Sequence, residues 1–217
     1  MVHAQHKQMK LKEALAIIVS LSKPSKMPCH GWSLPARRCI TGAKMAKVEG
    51  SICSKCYALR GNYRYETVQD CLERRYQSLQ DVRWIDAMST AINLTETSGY
   101  FRWHDSGDLQ GVWHLQMIVE VCKRTPHIKH WLPTREYSIV RKYIDEGGQI
   151  PDNLTVRLSA LMFDGPAPES LAKRLGIQVS GASKTSFSCP ASTQGNKCLS
   201  CRVCWNKDAF NVSYKQH

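Results

Sequence analysis

"YFRWHDSGDLQGVWHLQMIVEVCKRTPHIKHWLPTREYSIVRKYIDEG" spans residues 100–147 and alternates between two hydrophobic periods. "YFRWH" (100–104) is short and aromatic, a strand pattern, and "GVWHLQMIVEVCKRT" (111–125) is an amphipathic helix. "HIKHWLPT" (127–134) is strand-like, and "EYSIVRKYIDEG" (136–147) is a helix ended by Gly147. The alternation continues with "NLTVRLSALMF" (153–163) as a strand, "PESLAKRLG" (168–176) as a short helix closed by Gly176, and "IQVSGA" (177–182) as a strand. This β-α-β-α-β-α-β order predicts parallel strands covered by helices. A full eight-unit barrel takes about 250 residues, and this chain has 217 with four such units visible. The Gly-rich turn of a dinucleotide fold and a phosphate-binding P-loop are both absent. The expected fold is α/β, a partial or incomplete parallel (TIM-like) barrel with cysteine-rich, metal-binding loops at both ends of the chain.

Working outward, residues 9–21 read as a helix with Met9, Leu11, Leu15, Ile18 and Val19 on one side. Residues 24–64 read as loop with short turns, punctuated by Pro24, Pro28, Pro35, Gly42, Gly50 and Gly61. Residues 66–94 carry a helical apolar face with a break near Asp81. The whole is expected to be one domain (1–217). It holds an N-terminal basic, cysteine-rich segment (24–64), a β-α repeat region (100–188) and a C-terminal cysteine cluster (189–206). No run of eighteen apolar residues occurs, so no transmembrane helix is expected. "LKEALAIIVSL" carries Lys12 and Glu13 and reads as a packed helix rather than a signal peptide, so the expected compartment is intracellular.

Ten cysteines are many for an intracellular chain, where a disulfide framework is not expected and metal binding is the main alternative. Cys71 and Cys122 lie on apolar helix faces and read as buried free thiols. Cys189, Cys198, Cys201 and Cys204 have the spacing C-x8-C-x2-C-x2-C, with Pro190 after Cys189. A C-x2-C-x2-C run places three sulfurs around one turn, as for three irons of a 4Fe-4S cube. Zinc, which takes ligands in pairs, is the alternative. Cys29, Cys39, Cys53 and Cys56 form a looser set. Their options are a separate metal site (one cluster or two in all), a site shared with the C-terminal set, redox thiols, or core. The segment holding them has few aliphatic residues, so metal ligation is expected to order it. His30 is a candidate substitute ligand or hydrogen-bond donor to one.

Reactive groups in parallel α/β folds lie at the carboxyl ends of strands. Those positions hold His104, Asp105, Asp108, Arg135, Glu136, Arg157 and Ser159. Arg157 inside "LTVRLSALMF" needs a partner or a cavity. The structural reading of it is an ion pair with Glu136 or Asp105. A carboxylate–histidine metal site at His104, Asp105 and Asp108 is a further option. The functional reading puts His104, Asp108, Arg135 and Arg157 around one cavity. There the two arginines and the Asp108 carboxylate hold a small anionic or zwitterionic ligand and His104 carries a proton.

"MPCHGWSLPA…C…G…CSKCYALRGNY", "FRWHDSGDLQ", "HWLPTRE" and the closing "C…CLSCRVCW" together resemble the gene product 88-like family of bacteriophage proteins over about residues 24–206. The resemblance implies phage origin, and with it the host cytoplasm, rather than a reaction. The cysteine pattern and alternating units also resemble the partial barrels of radical S-adenosylmethionine enzymes, whose C-x3-C-x2-C loop is absent here.

Charge adds a partner. Of a net +12, residues 1–70 carry 12 basic and 4 acidic side chains. The basic excess coincides with Trp32, Tyr57, Tyr63 and Tyr65, a combination suited to phosphate backbones and bases. Its bland counterpart is a solvated face with only non-specific affinity. Two function classes follow. One is a phage iron–sulfur protein with a redox or small-molecule role at a polar barrel mouth. The other is a metal-stapled protein, zinc or iron–sulfur, that binds nucleic acid or a host protein without catalysis.

Overall fold

The computed structural model describes residues 9–216. The ends of the expected 1–217 domain, residues 1–8 and 217, lie outside the described residues. Six strands form one sheet: β1 (His30–Trp32), β2 (Tyr100–Trp103), β3 (Lys129–Thr134), β4 (Leu154–Ser159), β5 (Gln178–Ser183) and β6 (Asn211–Lys215). They lie side by side in chain order, and every neighbouring pair is parallel. This is an open α/β sheet with the strand order of a partial barrel.

Among the described residues, seven α-helices accompany it: α1 (Leu11–Ile18), α2 (Ile40–Met45), α3 (Glu66–Ser78), α4 (Trp84–Thr95), α5 (Val112–Arg124), α6 (Tyr137–Asp145) and α7 (Glu169–Leu175). α1 ends at Val19, which adopts a left-handed backbone (φ 57°). The expected break near Asp81 separates α3 from α4, where Asp81 Oδ1 accepts from the Arg83 amide at 2.9 Å. Gly176 closes α7 at φ 66°, a conformation that favours glycine.

Side chains alternate across a strand, so each strand divides its residues between two faces. Phe101, Trp103, Leu132, Leu154, Val156, Leu158 and Val179 join the main core with α1, α4, α5, α6 and α7. On the opposite face stand Arg102, Trp131, Pro133, Thr155, Arg157, Ser159 and Ser180, paired in register across β2 to β5. A sheet with one aliphatic and one polar, aromatic face needs a different cover on each side. The second cover is supplied by the two cysteine-rich segments, with Trp205 and Cys29 packed on Trp131.

Metal ligation is not what orders those segments. Residues 24–64 contain the expected short turns, of 3-10 form, and in addition β1 and α2. They are pinned to the sheet by ordinary bonds. Ser22 bridges Gly31, and Ser51 bridges Met162. Leu34 donates its amide to the Ser106 carbonyl at 3.0 Å, and Ile52 to that of Leu161 at 2.9 Å. The buried Glu136 carboxylate accepts from both the Thr41 amide and the Thr41 hydroxyl at 2.7 Å. Trp32, Leu34 and Ala58 of this segment are buried. Residues 189–206 are held in the same manner. The Cys189 amide bonds the Ser213 carbonyl at 2.9 Å, the Cys198 amide bonds that of Lys26 at 3.0 Å, and Trp205 Nε1 donates to Phe101 at 2.8 Å. Among the described residues, no helix is long and apolar enough to cross a membrane.

Candidate functional site

The polar sheet face and the two cysteine-rich segments enclose a cavity of about 760 Å³ at the carboxyl ends of the strands. His104, Asp108 and Arg135 all line it, as do Asp105, Ser159 and Ser180; Arg157 does not. The turn after β2 is shaped by Gly107 at φ 77°, where a Cβ would lie 2.5 Å from that of Leu34. That close approach brings Asp105 and Asp108 to the mouth.

Asp108 is buried. Its Oδ1 accepts from the Thr134 hydroxyl at 2.6 Å and its own neighbour's amide, Leu109, at 2.8 Å; Oδ2 accepts from the Arg135 amide at 2.9 Å. Burial outweighs these bonds and pushes its carboxyl up to about 6. Arg135 donates Nε to the Ala160 carbonyl at 3.1 Å. Asp105 Oδ2 accepts from the Tyr63 hydroxyl at 3.0 Å, and its carbonyl accepts from the Tyr57 hydroxyl.

His104 has a left-handed backbone (φ 55°) and is buried against His114, ring centroids 5.3 Å apart. Burial, then His114 and Arg102, hold its imidazole well below its ordinary value, so it is neutral. It stands apart from Asp105 and Asp108, whose carboxylates are occupied elsewhere, and the expected metal site of these three is not formed.

Arg157 is fully buried, and its role is visible in its bonds. Nε donates to Cys204 (3.1 Å), Nη1 to Val179 (3.1 Å) and Phe210 (3.4 Å), and Nη2 to Val203 (3.0 Å) and Asn206 (2.8 Å). Five donors meet five backbone carbonyls, and the expected ion pair with Glu136 or Asp105 is absent. Glu136 instead holds Thr41.

The cysteines correct the expectation most. Cys39, Cys53 and Cys56 line one wall of the cavity, and Cys189, Cys198 and Cys204 another. Among the described residues, no group of three or more His, Cys, Asp or Glu is placed to hold a metal ion. This overturns the 4Fe-4S cluster read at Cys189, Cys198, Cys201 and Cys204. It overturns equally the metal set at Cys29, Cys39, Cys53 and Cys56, the zinc alternative, and both metal-based functions. The thiols have other surroundings. Cys29 is buried beside Trp131 and Trp205, Cys198 Sγ lies 3.9 Å from Met27 Sδ, and Cys204 Sγ lies 3.3 Å from the Tyr214 hydroxyl. Burial pushes Cys29 up to about 12 and Cys204 up to about 11, and raises Cys39, Cys53 and Cys198. With no ion beside them, burial keeps these five groups as neutral thiols. His30 is no ligand either; it bonds Glu96 through its amide at 2.6 Å and through Nδ1 at 2.9 Å.

Several lining residues escaped the sequence reading, chiefly Arg102, Trp131 and Tyr214. The Arg102 guanidinium stacks over Trp131 at 4.7 Å, and its Nε is buried without a hydrogen-bond partner. The signal was the period of two: Arg102 falls between Phe101 and Trp103, hence on the opposite face.

No curated protein and no solved structure matches the chain, so nothing bears out the likeness to radical S-adenosylmethionine barrels. One family model does match, described as Gene product 88, over residues 3–207. That match covers nearly the whole chain, and the protein belongs to the Gene product 88 family of bacteriophage proteins.

Proposed function

We propose that this protein binds a small organic anion in the cavity at the carboxyl ends of its strands. The carrying observation is that Arg102 and Arg135 both line a cavity of about 760 Å³ while neither forms an ion pair among the described residues. The two carboxylates on the wall, Asp105 and Asp108, are engaged by hydroxyl and amide donors instead. With Lys26, Arg37, Lys55 and Lys215 also in the lining, basic groups outnumber Asp105 and Asp108, so the space is cationic and a ligand carboxylate or phosphate supplies the missing counter-ion. Trp131 and Tyr214 offer flat apolar surface for the body of the ligand. Asp108, with its carboxyl near neutrality, is the proton acceptor of the site. In this reading Arg157 is a positioning residue, since its five bonds fix the wall that carries Cys204. All ten cysteines are free, which fits a reducing compartment, the host cytoplasm.

Anilinonaphthalene sulfonate, an aromatic anion, is a direct probe. The folded protein should bind one equivalent with enhanced fluorescence. Arg135→Met should weaken that binding about tenfold or more, the scale of a charge-assisted hydrogen bond. Near-UV circular dichroism should confirm that the variant is folded. Undiminished binding in Arg135→Met and in Arg102→Met would refute the site.

A further inference from the structure

Residues 36–65 carry seven basic side chains and one acidic one, Glu49. In a chain of net +12, half of the net charge therefore sits on thirty residues. Folding does not neutralise it. Arg37, Lys44, Lys47, Lys55, Arg60 and Arg64 are exposed and have no carboxylate partner among the described residues. Only Arg38 is paired, with Glu73 at 2.6 Å. The short turns and α2 pack on one another, so these charges form one surface rather than scattered points. Aromatic side chains lie among them: Tyr65 is 62% exposed and Tyr57 46%. Arg37, Lys55 and Tyr57 also reach the cavity wall, so the surface runs up to the mouth.

We infer that this surface is a binding site for single-stranded nucleic acid. Cations spaced along an irregular surface follow a phosphate backbone, and exposed rings between them stack on bases. Duplex readers place a helix or ribbon in the major groove, and the segment offers only the six-residue α2. A membrane surface is disfavoured because the exposed apolar residues Ile40 and Leu59 stand on separate short elements, Val48 stands in the bend between α2 and the next turn, and no amphipathic helix gathers them. The inference does not depend on the cavity ligand, because the charges named lie mainly on the outer surface.

Fluorescence anisotropy with labelled oligothymidylate of about fifteen nucleotides, a length one such site spans, tests it. Binding should be measurable at about 50 mM salt and weaken steeply by about 200 mM. Lys44→Gln with Lys47→Gln should lower the log–log salt slope by about 0.7 for each phosphate contact removed. Tyr65→Ala should weaken binding about tenfold while leaving the slope unchanged, because stacking releases no counterions. Both variants are surface changes and should unfold like the parent. Arg135→Met should leave oligonucleotide binding intact, which separates this site from the cavity. No binding at low salt would overturn the inference. So would equal binding of duplex, or indifference to Tyr65→Ala, since either would mean a generic polyanion effect.

Discussion

Replacing Arg157 with methionine keeps the length of the side chain and removes all five donors. Three of the five carbonyls have other support: Phe210 still accepts from the Val179 amide, Val203 accepts from that of Asn206, and Val179 belongs to the β5–β6 ladder. Cys204 and Asn206 rely on the guanidinium alone among the described residues. An orphaned buried acceptor costs about 1–3 kcal/mol. Two of them cost roughly 2–6 kcal/mol, less some relief from no longer burying a charge without a counter-ion. The expected loss is about 3–4 kcal/mol, or about 10 °C in Tm for a chain of this size. Urea unfolding followed by tryptophan fluorescence measures it, since Trp131 and Trp205 lie next to the affected turn. Hydrogen exchange should also speed up at residues 203–210 before the sheet opens. Arg157→Lys should lose nearly as much, because an ammonium has at most three donors and no planar fork. A loss below about 1 kcal/mol with unchanged exchange at 203–206 would refute the view that this arginine pins the C-terminal segment.

Three further outcomes are expected. The Asp108 carboxyl is raised to about 6 in the fold. Its unfolded value is about 4, so its ionisation should lower stability as pH climbs from about 4 to about 6, by roughly 2–3 kcal/mol in total. Asp108→Asn should abolish that segment of the urea pH profile. His104, His114 and His130 are buried and neutral, with His114 and His130 held down near 3 by burial. Their contribution is present above about pH 6.5 and is lost as pH falls, by about 4 kcal/mol per pH unit for three groups, which outweighs Asp108 and should give a steep acid transition. His114→Gln should make that transition shallower by about one proton in a potentiometric or urea titration. Gly107→Ala forces a Cβ to within 2.7 Å of the Leu34 carbonyl at φ 77°. It should cost more than about 2 kcal/mol in thermal unfolding and displace Asp108 from Thr134.

Four of the six strands were legible because "YFRWH", "HIKHWLPT", "NLTVRLSALMF" and "IQVSGA" are apolar runs set between helical periods. β1 and β6 were not. "HGW" is three residues inside a proline-marked stretch, and "NVSYK" is an edge strand with little apolar content. Their existence depends on pairing with β2 and β5, which no local window contains. The convergence of His104, Asp108 and Arg135 followed from strand ends, a rule of topology. Arg157 did not follow, because a fully buried cation satisfied only by carbonyls has no signature in the side chains around it. The cysteine spacing misled for a related reason. Sequence separation constrains which sulfurs can meet, but the hydrogen bonds of Thr41, Ile52 and Cys189 to distant residues decide where each segment lies.

The sheet grows in chain order, and that has a consequence for synthesis on a ribosome. Each new strand from β2 to β6 finds its neighbour already made. The N-terminal cysteine-rich segment is the exception, because its anchors arrive late: Ser106, then Glu136, then Leu161 and Met162. About three quarters of the chain must emerge before residues 36–56 can settle. Until then their free thiols and exposed cations remain open to the solvent and to whatever meets the nascent chain. The segment translated early is thus completed among the last, and the cavity wall it forms is a product of late, long-range closure.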